Sequence, residues 1–135
     1  MLAVVDTNCL LASNSPQSTH YWLYLAFKQG KFEWLISNEI LTEYEEKLIE
    51  RYSKSTANIV LNVLSIAPNV IFKEPYFKWN LVEKDPDDNK FADLAIAGNA
   101  QYLVTNDKDF NDLKKLEFPK LDIITLDKFK KIIWQ

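Results

Sequence analysis

The sequence has few of the residue types on which many common active sites depend. It contains two glycines, Gly30 and Gly98, so a glycine-rich loop that cradles nucleotide phosphates is excluded. Its one cysteine, Cys9, can form neither an intrachain disulfide nor a thiolate zinc cluster. Its one histidine, His20, argues against a Ser-His-Asp triad or a histidine-rich metal site. Chemistry in this chain must therefore depend on carboxylates.

Long hydrophobic runs and an excess of positive charge are also missing. The apolar runs are too short to cross a bilayer and no secretion signal opens the chain, so we expect a soluble, cytoplasmic protein. The net charge of −3 does not indicate nucleic-acid binding, although local basic patches can still provide it. With 47% hydrophobic and 13% aromatic residues, the chain can bury the core of one domain, which we assign to residues 1–135.

Short strand-like segments alternate with segments of helical spacing along the chain. The predicted strands are residues 2–5, 32–36, 70–72, 102–105 and 122–125. The predicted helices are residues 17–29, 38–53, 55–67, 88–99, 107–115 and 126–133. Such alternation predicts an α/β fold with a parallel sheet and right-handed crossovers.

Acidic side chains occur where this pattern places one edge of the sheet. Asp6 ends the first strand, Asp107 follows the fourth, Glu43 lies early in the helix after the second strand, and Asp88 opens the helix before the fourth. In parallel sheets the ligand crevice lies beyond the carboxyl ends of the strands. Each acid also has a structural explanation, as a turn or helix cap or, for Glu43, as an ion pair with Lys47. Their joint placement is the stronger signal.

Several carboxylates sharing one site favour a bound cation. Without a cation, their mutual repulsion would force large upward pKa shifts. Mg²⁺ and Mn²⁺ prefer oxygen ligands, and such ions can activate water and polarise a phosphodiester. The predicted chemistry is metal-assisted hydrolysis of a phosphodiester, for which no histidine is needed.

Four segments, in the order VVDTN, SNEILTEYEEKL, DPDDNKFADLAIA and YLVTNDKDF, carry a resemblance to a known family. The chain resembles the PIN-domain ribonucleases, and among them the VapC-like toxins of toxin–antitoxin systems. The resemblance implies a three-layer α/β/α PIN-like fold with a central, mostly parallel sheet of about five strands. It also implies endoribonuclease activity on RNA that depends on Mg²⁺ or Mn²⁺, assembly into a dimer, and inhibition by an antitoxin protein.

The same resemblance implies roles for individual residues. It assigns catalysis and metal binding to four acids, Asp6, Glu43, Asp88 and Asp107. It places Asn8 and Thr105 beside the metal as supporting polar groups, and Asp109 as an additional acid. DPDDN also offers Asp85 and Asp87, but with Asp88 as the ligand Phe91 and Ala92 take the apolar positions that follow the acid. Asp93, one helical turn past Asn89, is a further candidate for the acidic rim, although its position favours exposure on the surface.

RNA binding by an acidic protein requires local basic or aromatic groups. Lys84, Lys90 and Lys108 adjoin the proposed acids and are candidates for phosphate contacts. The aromatic side chains of residues 76, 77 and 79 can either stack on bases or pack against protein. Two alternatives to the ribonuclease are a PIN-fold binding or assembly module with negligible turnover, and a structure-specific DNA nuclease.

Overall fold

A parallel sheet forms the centre of the protein. A computed structural model describes residues 1–134, and within that range the sheet has five strands. They are β1 (Leu2–Val5), β2 (Glu33–Ile36), β3 (Val70–Phe72), β4 (Tyr102–Val104) and β5 (Ile123–Ile124). The strand order is β3-β2-β1-β4-β5, and each neighbouring pair is parallel. The five predicted strands are thus confirmed, with ends that differ by one residue at most.

The order of the strands reverses beside β1. The chain passes from β1 to β2 and β3 on one side, and then returns to place β4 and β5 on the other. The carboxyl ends of β1 and β4 are consequently adjacent, with Val5 opposite Val104. At such a reversal the outgoing connections diverge and leave a crevice. Asp6 directly follows β1 and Asp107 follows the end of β4, so both residues lie at this crevice.

Helices flank the sheet and complete the predicted α/β/α arrangement. They are α1 (Thr7–Ser13), α2 (Trp22–Lys28), α3 (Asn38–Arg51), α4 (Lys54–Ile66), α5 (Asn89–Ala97) and α6 (Leu126–Ile133). In α3, Ile40, Tyr44 and Leu48 form the buried stripe that their spacing predicts. Gly98 ends α5 and allows close packing on the sheet, because a Cβ there would lie 2.3 Å from Leu35 Cδ2.

A buried hydrogen-bond chain fixes α3 to the end of β1. The Tyr44 hydroxyl donates to the Val5 carbonyl oxygen at 2.5 Å and accepts from Trp34 Nε1 at 3.2 Å. Burial raises the pKa of Tyr44, so its hydroxyl remains a proton donor. Trp34 in turn packs edge-on against Phe27, with ring centroids 5.3 Å apart. The backbone just before Asp6 is therefore anchored in the aromatic core.

Three segments differ from the sequence-based prediction. Helix α1 was not predicted; it begins directly after Asp6, whose carboxylate accepts a hydrogen bond from Cys9 N at 2.9 Å. The helix predicted from residue 17 begins at Trp22, because turns occupy the preceding residues. Residues 108–115 form a 3₁₀ rather than an α-helix, entered through a tight turn that the Asp107 side chain closes.

Two further observations concern the extent of the chain. Among residues 1–134, no helix is both long enough and apolar enough to span a membrane. The domain predicted over residues 1–135 extends one residue past the described range.

Candidate active site

Acidic residues from four separate segments line one solvent-open cleft at the carboxyl edge of the sheet. The cleft has a volume of about 230 Å³. Its lining residues are Asp6, Thr7, Asn8, Glu43, Lys47, Asp85, Asp87, Asp88, Phe91 and Asp107. The structure therefore brings together the four acids and the asparagine that the sequence singled out.

Asp6 is the most deeply buried acid of the cleft, with 5% of its surface exposed. Its Oδ1 accepts from Cys9 N at 2.9 Å, and its Oδ2 accepts a hydrogen bond from the Thr105 hydroxyl. The Thr105 oxygen also accepts from Asp107 N at 3.0 Å, so this threonine joins the ends of β1 and β4. Burial raises the pKa of Asp6 and the charge of Asp107 adds to this, while the hydrogen bonds from Thr105 and Cys9 oppose it.

Glu43 is held by two protein groups on opposite oxygens. Its Oε2 accepts from the Thr7 hydroxyl, and its Oε1 lies 2.7 Å from Lys90 Nζ. The sequence spacing suggested an ion pair between Glu43 and Lys47, but Lys47 Nζ lies 3.4 Å from Glu50 Oε2 instead. Thr7 was missed by sequence reasoning, where its only signal was its position next to Asp6.

Asp88 carries an unsatisfied oxygen. Its Oδ2 is the one buried side-chain oxygen or nitrogen in residues 1–134 that has no hydrogen-bond partner. Burial raises the pKa of Asp88 to about 7, with further contributions from the charges of Asp85, Asp107, Asp6 and Glu43. Asp85, in contrast, accepts from Asp87 N at 3.1 Å and so caps a 3₁₀ turn. Of the three acids in DPDDN, Asp88 is the one with a buried oxygen that lacks a hydrogen-bond partner, and a bound cation would satisfy that oxygen.

The acidic groups fit a divalent ion. Asp85, Asp88 and Asp109 each offer a carboxylate oxygen, and these oxygens lie within 4.8 Å of one another. Such closely spaced charges need either protons or a cation. A hard ion such as Mg²⁺ or Mn²⁺ prefers this all-oxygen donor set, and it would also satisfy the Asp88 oxygen. This acidic cluster lies where the cleft meets an adjoining groove that Asp109 lines, and it can bind a divalent metal. Of the four predicted metal ligands, Asp88 belongs to the cluster, whereas Asp6, Glu43 and Asp107 line the cleft beside it.

The three lysines proposed to contact RNA lie in different settings. Lys84 lines an adjoining groove together with Asp109. Lys108 is exposed at the start of the 3₁₀ helix that follows Asp107. Lys90 is mostly buried, with 11% of its side chain exposed, and its ammonium group contacts protein oxygens. Lys84 and Lys108 are therefore accessible to solvent, whereas Lys90 lines a neighbouring pocket and is paired with Glu43 of the cleft.

Asp93 is an acid whose predicted exposure is wrong. It is buried, with 6% of its surface exposed, and its Oδ1 accepts from Trp79 N at 3.1 Å. Its carboxylate thereby holds the extended segment that leads to the Asp85–Asp88 turn against α5. Burial raises the pKa of Asp93, and the hydrogen bond from Trp79 opposes this shift. Asp93 therefore has a structural position outside the acidic cluster.

Replacing Asp88 by asparagine should stabilise the metal-free protein and weaken its response to metal. The pKa of about 7 exceeds the ordinary 3.8, so the native state loses stability as pH rises from about 4 to 7. Asp88→Asn removes the cost of burying this charge and, secondarily, its repulsion by the neighbouring acids, together worth about 1 kcal/mol at pH 8 after solvent screening is allowed for. We expect a melting temperature in EDTA roughly 2–5 °C above the parent at pH 8, with the difference vanishing near pH 4.

Differential scanning fluorimetry across pH, with and without Mn²⁺, measures both effects. Mn²⁺ should raise the melting temperature of the parent more than that of Asp88→Asn. The exposed Asp122→Asn serves as the matched control for loss of one carboxylate. An equal metal response in parent and Asp88→Asn would contradict a role for Asp88 in metal binding.

The chain matches a known protein family and is similar in fold to solved structures. A sequence model described as PIN domain matches residues 3–109. No curated protein sequence is significantly similar to the chain. VapBC2 from Rickettsia felis, crystallised with a DNA fragment from its promoter, has a chain with a TM-score of 0.65 and 20% identity, over 93% of this chain and 98% of that one.

A second solved structure is similar over most of its length. It is VapC20 of Mycobacterium tuberculosis, a toxin described as cleaving the sarcin–ricin loop. The TM-score is 0.61 at 15% identity, over 85% of this chain and 97% of that one. At identities this low, both similarities establish a shared fold.

Proposed function

Because the chain belongs to the PIN-domain family, we propose that it is an Mg²⁺- or Mn²⁺-dependent endoribonuclease and the toxin of a toxin–antitoxin pair. The observation that carries the proposal is the buried, unpartnered Oδ2 of Asp88 amid the charges of neighbouring acids. The likeness to VapBC2 and VapC20 supports the toxin assignment and a protein antitoxin as partner. We further propose that the protein acts in the cytoplasm and forms a dimer, as the family resemblance implies.

We assign the catalytic and metal-binding roles to Asp6, Glu43, Asp88 and Asp107. When bound, the ion supplies activation of a water molecule and polarisation of the phosphodiester. Thr105 fixes the orientation of Asp6 through its hydroxyl and positions the Asp107 backbone. Asn8 is exposed at the mouth of the cleft, where its amide can contact the substrate backbone. Asp109 belongs with Asp85 and Asp88 to the acidic cluster, and we assign it the role of an additional ligand.

A patch of two exposed aromatic rings around a half-buried one adjoins this region and supports RNA as the substrate. It consists of Phe77, Trp79 and Phe118, with centroids 4.7 Å apart for Phe77–Trp79 and 5.9 Å apart for Trp79–Phe118. Phe77 is 64% and Phe118 81% exposed. Trp79 is held by Asp93, and the next pocket along contains Lys78 and Asp87, of which Asp87 also lines the acidic cleft. We assign the patch to stacking with unpaired bases.

Removing both exposed rings should weaken RNA binding. Each base–aromatic stack is worth about 1–3 kcal/mol, so loss of two stacks in Phe77→Ala with Phe118→Ala should lower affinity for unstructured RNA about 30-fold or more. Fluorescence anisotropy in a cleavage-deficient Asp6→Asn background measures the effect. Ile66→Ala removes an equally exposed apolar side chain and should leave affinity unchanged. Unchanged RNA affinity together with a change in oligomeric state would instead assign the patch to a protein interface.

One observation favours the second candidate function, a PIN-fold binding or assembly module. The net charge of −3 is unfavourable for holding RNA over a long stretch of backbone. A cleavage assay with RNA and DNA of the same sequence, in Mg²⁺, Mn²⁺ or EDTA, separates the candidates. The proposed function requires RNA cleavage that EDTA abolishes. Absence of cleavage with either metal supports the binding module, and preferential cleavage of DNA supports a DNA nuclease.

A further inference from the structure

We propose that Lys90 is a positioning residue that neutralises Glu43, holds it in place and thereby limits the affinity of the acidic cluster for divalent metal. Lys90 is the second residue of α5, two residues after Asp88, and it contacts Glu43 of α3. The part of this inference that concerns turnover rests on the proposed nuclease function. The part that concerns metal affinity does not.

The contacts of Lys90 are those of a fixed structural cation. Its Nζ lies 2.7 Å from Glu43 Oε1 and donates to the Asp87 carbonyl oxygen at 2.7 Å. Its side chain is 11% exposed, and Nζ lies 5.5 Å from the centroid of the Phe91 ring. Exposed lysines, in contrast, sample many rotamers and are strongly hydrated. Lys90 is therefore held within the protein and is not free to follow a substrate phosphate.

Glu43 is correspondingly immobilised. One of its oxygens accepts from Lys90 and the other from the Thr7 hydroxyl. Thr7 follows Asp6 directly, so the Lys90–Glu43–Thr7 chain connects α5 through α3 to the end of β1. Asp88, without a partner for its Oδ2, has no comparable compensation. Lys90 thus cancels the charge of one acid and leaves the remaining carboxylates to attract a cation.

This charge balance predicts metal affinities that change in opposite directions in two single variants. Lys90→Met keeps the aliphatic stem near Phe91 but frees the negative charge of Glu43, so Mn²⁺ should bind about three- to tenfold more tightly. Glu43→Gln leaves the Lys90 ammonium uncompensated, so Mn²⁺ should bind about tenfold more weakly. The double variant removes one charge of each sign, so it should bind Mn²⁺ more tightly than Glu43→Gln but, because the Glu43 ligand is lost, no more tightly than the parent. Isothermal titration with Mn²⁺ alone measures all three.

Turnover should respond differently from metal affinity. Because Lys90→Met releases Glu43 from its position, kcat for RNA cleavage at saturating metal should fall about 10- to 100-fold, in the range seen when groups that orient metal ligands are removed. KM for RNA and its salt dependence should change little. Lys90→Arg retains the charge, so its metal affinity should stay close to that of the parent and part of the lost kcat should return.

Lys47→Met is the matched control. Lys47 lines the same cleft, but its side chain is 47% exposed and pairs with Glu50, so removing it should change Mn²⁺ affinity less than about twofold because solvent screens its charge. Circular dichroism confirms that each variant is folded.

Two results would overturn the proposal. One is unchanged or weaker Mn²⁺ binding by folded Lys90→Met. The other is an unchanged kcat with a raised KM and a shallower salt dependence, which would make Lys90 a phosphate contact. If the parent cleaves no RNA, the nuclease function fails, while the opposite metal affinities of the two single variants still test the charge balance.

Discussion

Asp6→Asn should abolish metal-dependent RNA cleavage, lowering kcat about a thousandfold or more. The substitution is nearly isosteric and removes a charge that lies at the junction of β1, α1 and β4. Its remaining oxygen can still accept from Cys9 N, which keeps the start of α1 capped. Burial and the nearby Asp107 both disfavour the charged form of Asp6, so removing the charge should not destabilise the metal-free fold.

The measurement is single-turnover cleavage of a labelled RNA in Mg²⁺ or Mn²⁺, together with a thermal melt in EDTA. Asp6→Asn should melt at or above the temperature of the parent, so that lost activity cannot be attributed to unfolding. Asp122→Asn removes an exposed carboxylate and should cleave at the parental rate. Substantial cleavage by Asp6→Asn, or cleavage by the parent in EDTA, would refute a metal mechanism based on this cleft.

Tyr44→Phe should lower the free energy of unfolding by about 2–4 kcal/mol. The variant loses a single hydroxyl, but that group both donates to Val5 O and accepts from Trp34 Nε1 in a fully buried position. Each partner left unsatisfied destabilises the protein by about 1–3 kcal/mol. For a chain of this size the melting temperature should fall by roughly 5–15 °C.

Urea unfolding monitored by circular dichroism and tryptophan fluorescence tests this prediction. Tyr76→Phe removes the same hydroxyl from a side chain that is 97% exposed, and its effect should stay within about 0.5 kcal/mol. A loss for Tyr44→Phe no larger than that of Tyr76→Phe would show that the buried hydrogen-bond chain contributes little to stability.

Much of the fold and part of the site followed from local sequence patterns. Short apolar runs separated by helical spacing predicted the strands, because a parallel sheet requires a crossover between successive strands. Once the strands were parallel, Asp6 and Asp107 had to lie at the same edge. The structure places them in one cleft because β1 and β4 are neighbours.

Side-chain partners from distant segments were not predictable in this way. Glu43 had an eligible lysine four residues away in Lys47, yet its partner is Lys90, which the packing of α3 and α5 brings near. Asp93 was expected on the surface because its position in a helix does not reveal that the extended segment containing Trp79 packs over it. Helix α1 was missed because its seven residues are too few to display a helical period. In each case the local sequence was compatible with more than one arrangement, and tertiary packing determined which of them forms.

The hydrogen bond from Thr105 to Asp6 joins residues 99 positions apart in the chain. During translation the first strand therefore leaves the ribosome long before its partner has been made. No nascent fragment that ends before Thr105 and Asp107 can assemble the acidic cluster. The proposed active site is therefore incomplete until nearly the whole chain has been synthesised.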